Sequence, residues 1–458
     1  MLQKLLVLLA FLCAAMLYSP ICPAQTTFTG QQLIEYMETD GSNDVYAADL
    51  DGDGDRDVLS ASSLDNKIAW YENDGIGNFG EQQIITTVAN AASGIHVADL
   101  DNDGDVDVLS YSGWDDKIVW YKNDGNGSFG EQQIIATNVN SAPLVYTADL
   151  DNDGDIDVLS ASADNDKIAW YENDGSGNFG VQQIITAVAG YAISVYAADL
   201  DNDGDVDLLS ASHGDKINWY ENDGIGNFGE QQIITTVADE AKDVYAADLD
   251  GDGDIDVLSA SYWDDKIAWY ENDGSGSFGE QQIITTTADF AQSVYAADLD
   301  NDGDIDVLSA SEFDNKIAWY ENNGSGNFGI QQIITTAADG AKSVYAADLD
   351  NDGDIDVLSA SWDDNKIAWH ENQLIAVGVD NVASGNHFSL CYPNPTNNQL
   401  TIQQPTTQTA TYTLHNTLGE VVSKGTFDTP THTVSVAHLS SGIYFLQVNE
   451  QCFKVVKW

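Results

Sequence analysis

Residues 49–57 read DLDGDGDRD, with aspartate at the first, third, fifth, seventh and ninth positions and glycine at the sixth. The stretch returns six times, its first aspartates being Asp49, Asp99, Asp149, Asp199, Asp248, Asp298 and Asp348, in steps of 50, 50, 50, 49, 50 and 50 residues. A period of that size marks an array of one supersecondary unit. Five carboxylates within nine residues repel one another unless a cation sits among them. Alternate carboxylate oxygens, a carbonyl at the seventh position and a glycine for the sharp turn suit a hard ion such as calcium, which takes six to eight oxygens at about 2.3–2.6 Å. The first six positions match the start of an EF-hand loop, but the twelfth, a bidentate glutamate in that loop, is serine in every copy, beginning with Ser60. The flanks VYAADL and DVLSAS are strand formers and not amphipathic helix. The stretch is therefore a cation loop inside a β-hairpin, and about seven calcium ions are expected.

The candidate ligands are the first aspartates named above and four further sets. The third positions are Asp51, Asp101, Asp151, Asp201, Asp250, Asp300 and Asp350, and the fifth are Asp53, Asp103, Asp153, Asp203, Asp252, Asp302 and Asp352. The seventh are Asp55, Asp105, Asp155, Asp205, Asp254, Asp304 and Asp354, and the ninth are Asp57, Asp107, Asp157, Asp207, Asp256, Asp306 and Asp356.

One unit, from Val145, reads VYTADLDNDGDIDVLSASADNDKIAWYENDGSGNFGVQQIIT. Four segments carry strand character, VYTADL, DVLSAS, KIAWYEN and FGVQQII, each bounded by Asn, Asp, Gly or Ser clusters. Four antiparallel strands per repeat describe the blade of a β-propeller. The loop occurs seven times, as does the tryptophan of strand three: Trp70, Trp120, Trp170, Trp219, Trp269, Trp319 and Trp369. The fourth strand follows only the first six tryptophans. Its missing copy lies at the other end, where FTGQQLI (residues 28–34) resembles FGEQQII (residues 79–85). The expected fold is all-β: a seven-bladed propeller closed by an N-terminal strand, without an exposed sheet edge, followed by a small β-sandwich. The tryptophans are expected between blades, and Lys67 with its equivalents beside neighbouring acids.

The spacing, the glycine and the flanking strands, with FG shortly before the next unit, resemble the FG-GAP/VCBS repeat family over roughly residues 28–372. That resemblance implies calcium binding through the side chains of Asp49, Asp51, Asp53 and Asp57 and the carbonyl of Asp55, and likewise in the other six loops.

The formal charge is −60, from 75 acidic and 15 basic residues. Such a chain does not bind nucleic acid or an anionic membrane by charge. Residues 1–24 carry Lys4 and the apolar run LLVLLAFLCAAML, the pattern of a secretory signal peptide with cleavage after Ala24, leaving no membrane span in the mature chain. Two later cysteines, Cys391 and Cys452, stand in a compartment that permits a disulfide.

The connections from strand one to two and three to four share one face of a propeller and are nearly uniform among the copies. The opposite face varies: SSLDNK, SGWDDK, SADNDK, SHGDK, SYWDDK, SEFDNK and SWDDNK join strands two and three. This face displays Trp114, His213, Tyr262, Trp263, Phe313 and Trp362, with Tyr191 and Phe290 at the tips of the four-to-one connections. Aromatics beside aspartates suit stacking on sugar rings or peptide side chains. The alternative, aromatics that anchor their loops on the blade below, stays open.

The period ends near Leu374. Divided by domain, residues 25–376 are the propeller, 377–387 a linker and 388–458 a small sandwich with alternating apolar residues. YPNP from Tyr392, NTLGEVV and LSSGIYFLQV resemble the C-terminal sorting domain of the type IX secretion system. That resemblance implies transport across an outer membrane, to a secreted or cell-surface location, with the secretion machinery as partner. GxSxG, HExxH and P-loop motifs are lacking, and the paired carboxylates are committed to the cation loops. The expected function is therefore non-catalytic binding or adhesion toward an extracellular glycan or protein. The alternatives are a propeller lyase or hydrolase acting on an acidic polysaccharide, and a structural surface-layer component.

Overall fold

The computed structural model describes residues 24–35, 38–137, 139, 144–376, 390–392, 398–403, 409–416, 421–440, 442–448 and 451–457. The signal segment 1–23, the linker 377–387 and the side chains of Cys391 and Cys452 lie outside the described residues. Two compact units are present, residues 28–372 and a second containing residues 373–458. Among the described residues no helix is long and apolar enough to cross a membrane.

In the larger unit the first repeat sets the pattern: antiparallel strands Ser42–Ala48, Asp57–Ser62, Lys67–Tyr71 and Gln83–Thr86, paired in sequence order. Tyr46 faces Leu59, Leu59 faces Trp70 and Trp70 faces Gln83. The fourth strand begins at Gln83 and not at Phe79 as the alternation suggests. Phe79 makes an isolated bridge with Asn73, and Gly80 N donates to Glu72 O, so the chain is still turning there. A one-residue bulge at Ile85 then sets the register.

Among the described residues seven such four-stranded sheets are present. Six are continuous in sequence. In the seventh, Gln32–Glu35 pairs with Lys366–His370, placing Gln32 opposite Trp369 as Gln83 stands opposite Trp70. The second strands are buried at every residue, because each sheet is covered on both faces. Each apolar core is accordingly shared between consecutive repeats. Leu59, Ile68 and Trp70 pack with Val108 and Tyr121, and Val45, Val58 and Tyr71 pack with Leu358 and Trp369 of the last repeat. Each strand-three tryptophan is about 3–4% exposed and six of them lie against the next repeat's glycine, as Trp70 does on Gly127. Gly127 has φ +70°, and a Cβ there would stand 2.3 Å from Trp70 Cζ2, so only glycine fits.

A feature absent from the sequence reading is a circuit of aromatic rings on the first strands. Tyr46, His96, Tyr146, Tyr196, Tyr245, Tyr295 and Tyr345 follow one another at centroid distances of 4.5 to 5.3 Å, and Tyr345 returns to Tyr46 at 4.4 Å. Burial pushes these phenols well above their ordinary range and His96 down to about 4, so the imidazole is neutral. His96 Nδ1 pairs with Thr147 Oγ1 at 2.9 Å.

The smaller unit contains a three-stranded sheet, ordered Leu390–Tyr392, Gln399–Gln403, Thr431–Ser435, and a four-stranded one, ordered Val421–Phe427, Ala410–Asn416, Gly442–Val448, Gln451–Lys457. Leu400, Ile402 and Val434 from the first sheet share a core with Leu414, Leu446, Val448 and Val455 from the second, the packing of a sandwich.

Candidate functional site

The aspartate loops are folded by their own carboxylates. Asp49 Oδ1 accepts from Gly52 N (2.8 Å) and its Oδ2 from Gly54 N (3.1 Å). Asp51 accepts from Asp53 N and Asp53 from Asp55 N. Gly54, at φ +98°, makes the turn. Asp57, fully buried at the start of the second strand, accepts from Leu50 N and Asn73 N, both at 2.9 Å. This wrapping brings ligand oxygens of Asp99, Asp101 and Asp107, or of Asp49, Asp51 and Asp53, within 4.8 Å of one another, and likewise in the third, fourth and fifth repeats.

The donor set fits a hard cation. Asp149 Oδ1, Asp151 Oδ1, Asp199 Oδ1 and Asp348 Oδ1 are buried without a hydrogen-bond partner, a costly arrangement for carboxylate oxygens unless a cation approaches. Burial pushes the ninth-position groups Asp57, Asp107, Asp157, Asp207 and Asp256 up to about 7. It raises Asp51 as well, with Asp53, Glu72 and Asp49 adding repulsion.

The seventh-position carboxylates do different work. Asn102 Nδ2 donates to Asp155 Oδ1 of the next repeat (2.6 Å), and Asn152, Asn202, Asn301 and Asn351 reach Asp205, Asp254, Asp354 and Asp55 in the same way. Gly52 and Gly251 stand where the other loops have this asparagine. A second tie was not foreseen from the sequence. The asparagine after strand three donates to the preceding repeat's loop carbonyl, as Asn123 does to Leu50 O (2.7 Å) and Asn73 to Leu349 O (2.6 Å), in all seven repeats. Its signal was the invariance of that asparagine among the copies. Of the strand-three lysines, Lys67, Lys117, Lys266, Lys316 and Lys366 pair with the aspartate two residues before, at 2.6 to 3.4 Å.

On the other connections the aromatics are not equivalent. Phe290 stacks on Phe313 at 4.2 Å and meets Tyr262 and Trp263 edge-on at 4.4 and 5.2 Å, with Trp263 57% and Phe313 63% exposed. Lys242 Nζ lies 4.9 Å from the Tyr262 ring centroid, 2.9 Å from Glu240 and 2.9 Å from His213 Nε2. His213 in turn packs on Tyr191 at 4.7 Å. Burial and the Lys242 charge lower the His213 pKa. Six of the eight candidate aromatics thus form one strip across neighbouring repeats. Trp114, 75% exposed, stands apart from it. Trp362 is half-buried and donates from Nε1 to Ser63 Oγ of the first repeat (3.1 Å), the contact of an anchor.

Tyr191 and Phe290 have φ of +64° and +58°. Their backbone N–H groups bond Asp166 and Asp265, as those of Gly41 and Gly340 bond Asn365 and Asn315 in the corresponding turns. Ala91 and Glu240 keep the same left-handed turn, with their N–H groups on Asn66 and Asp215, so the conformation belongs to the repeat and not to the aromatic residues.

Sheets repeated in this way are those of a β-propeller, and solved structures share that fold. A lectin of Agrocybe aegerita, described as recognising non-reducing terminal N-acetylglucosamine, is 19% identical, with 70% of this chain and 86% of that one covered and a TM-score of 0.51. The BP39L lectin of Burkholderia pseudomallei gives 15%, 72%, 96% and 0.56, and BBS1N, solved in complex with ARL6DN, gives 11%, 75%, 96% and 0.54. The comparison with curated proteins returns no match. The chain belongs to the FG-GAP-like repeat family, whose model matches in six windows: 49–110, 103–160, 149–210, 199–259, 248–309 and 298–359. Residues 390–457 match the secretion system C-terminal sorting domain, so the protein is exported by type IX secretion to the cell surface or the extracellular space.

Proposed function

We propose that residues 28–372 form a closed seven-bladed propeller, stabilised by calcium in its aspartate loops, that binds an extracellular glycan or protein without catalysis. Closure is supported by the Gln32–Glu35 pairing and by the ties from Asn73 to Leu349 and from Asn351 to Asp55. Calcium is supported by the converging aspartates and their unpartnered oxygens.

The observation that carries the binding reading is the gathering of Phe313, Trp263 and Tyr262 around Phe290, with Trp263 and Phe313 largely exposed. Exposed aromatic faces next to Glu240, Lys242 and Glu312 offer stacking and hydrogen bonding together, the combination that sugar rings and peptide side chains both use. The similar lectins recognise sugars and BBS1N is seen with a protein, so both ligand classes enter the test. The full chain is screened against glycan arrays and surface extracts, beside Trp263→Ala and Phe313→Ala variants. Binding lost in the variants, with melting unchanged, supports the reading. Binding retained in both removes this strip as the site.

A further inference from the structure

Six of the seven third strands run on into a glutamate: Glu72, Glu172, Glu221, Glu271, Glu321 and Glu371. In the second repeat that place is Lys122. In five repeats the glutamate accepts from a strand-four glutamine, as Glu172 does from Gln183 Nε2 at 3.1 Å. In all six its negative charge bears on the third-position aspartate of its own loop. Lys122 reverses that charge. Its ammonium enters the loop, in direct contact with Asp101 Oδ2 and 2.8 Å from Asp103 Oδ2.

The donor oxygens of Asp99, Asp101 and Asp107 converge here as in other repeats, so charge and not ligand geometry sets this loop apart. We infer that the Lys122 ammonium is the built-in counter-cation of the second loop, so that six of the seven loops bind calcium and this one does not. The inference rests on the calcium reading above. An ammonium carries three donors and no acceptor, so it can satisfy facing carboxylates but contributes nothing to a metal. Being tethered, it competes at an effective concentration on the order of millimolar or more. It is also part-exposed, 43% of its side chain facing solvent, so its own desolvation is small. A calcium ion entering the loop would have to expel it or lie beside a like charge.

Native mass spectrometry of the calcium-saturated full chain counts the ions directly. The expected count is six for the wild type and seven for Lys122→Glu, which restores the acid of the other repeats. Lys122→Met, which removes the charge without adding an acid, is expected to give seven as well, and keeps the test open if the glutamate variant does not fold. Seven ions in the wild type, or six in a folded variant, overturns the inference and leaves the calcium reading standing. No ion in any of the proteins overturns it by removing the calcium reading itself.

Discussion

Asn351 of the last repeat donates its side-chain amide to Asp55 of the first at 2.8 Å, across 296 residues of sequence. The same bond links four other pairs of consecutive repeats. A bond of the internal kind thus runs between the last repeat and the first. Asn351 Nδ2 also donates to Gly75 O at 3.2 Å, so replacing Asn351 by glycine, the residue at positions 52 and 251, is expected to cost about 1 kcal/mol, the worth of these two bonds less the strain that glycine relieves at φ +57°. Denaturant unfolding of the variant measures it.

The close approach of Gly127 to Trp70 makes a harsher test. Gly127→Ala places a methyl group where the indole already lies and forces a left-handed alanine. A loss of about 3 kcal/mol is expected from overpacking and backbone strain together. An unchanged melting temperature would show that neighbouring sheets can slide apart at no cost.

Metal removal should act on the whole larger unit. Each occupied loop adds about 2.7 kcal/mol at a hundredfold excess of ion over its Kd. Several together exceed the net stability of about 5–15 kcal/mol typical of a domain. Calorimetry with calcium and then with excess chelator is expected to show a large fall in melting temperature.

The pH dependence is best read with chelator present. Burial pushes Asp44 and Asp243 up to about 6, against Ser343 Oγ and Ile95 N in one case and Ser194 Oγ and Val294 N in the other. A carboxyl whose folded value is raised contributes stability that is full below its unfolded value and lost as pH rises through the folded one. Between pH 4 and 7 the metal-free protein should therefore weaken by about 2 kcal/mol for each of these groups. In Asp44→Ser/Asp243→Ser, which copies the serine of the sixth and seventh repeats, that part of the slope should vanish.

Much of this architecture was legible in the sequence because strict repetition exposes equivalent positions. The Asp49–Asp57 spacing located the hairpin, and the likeness of residues 28–34 to residues 79–85 located the strand that pairs with Lys366–His370. Repetition says which residues are equivalent, however, and not which of them touch. The Tyr46–Tyr345 contact, the reach of Asn73 to Leu349 and the gathering of Tyr262, Trp263, Phe290 and Phe313 all depend on how one sheet is rotated on the next. Trp362 looked like Trp263 for the same reason, although Gly41 and Ser63 hold it between the last repeat and the first. Lys122 is one exception among seven copies, and sequence alone does not place its ammonium among the aspartates.

The pairing of Gln32 with Trp369 also sets an order of events in time. The six sheets continuous in sequence can each form as soon as their own residues are free to fold. Gln32–Glu35 has no partner until the chain has grown by some 330 residues to reach Lys366–His370. Pairings of such long range form late, and an unpaired edge invites wrong partners in the meantime. The residues that follow soon after this last strand carry the export address. The signal to leave the cell and the means to complete the seventh sheet thus arrive nearly together.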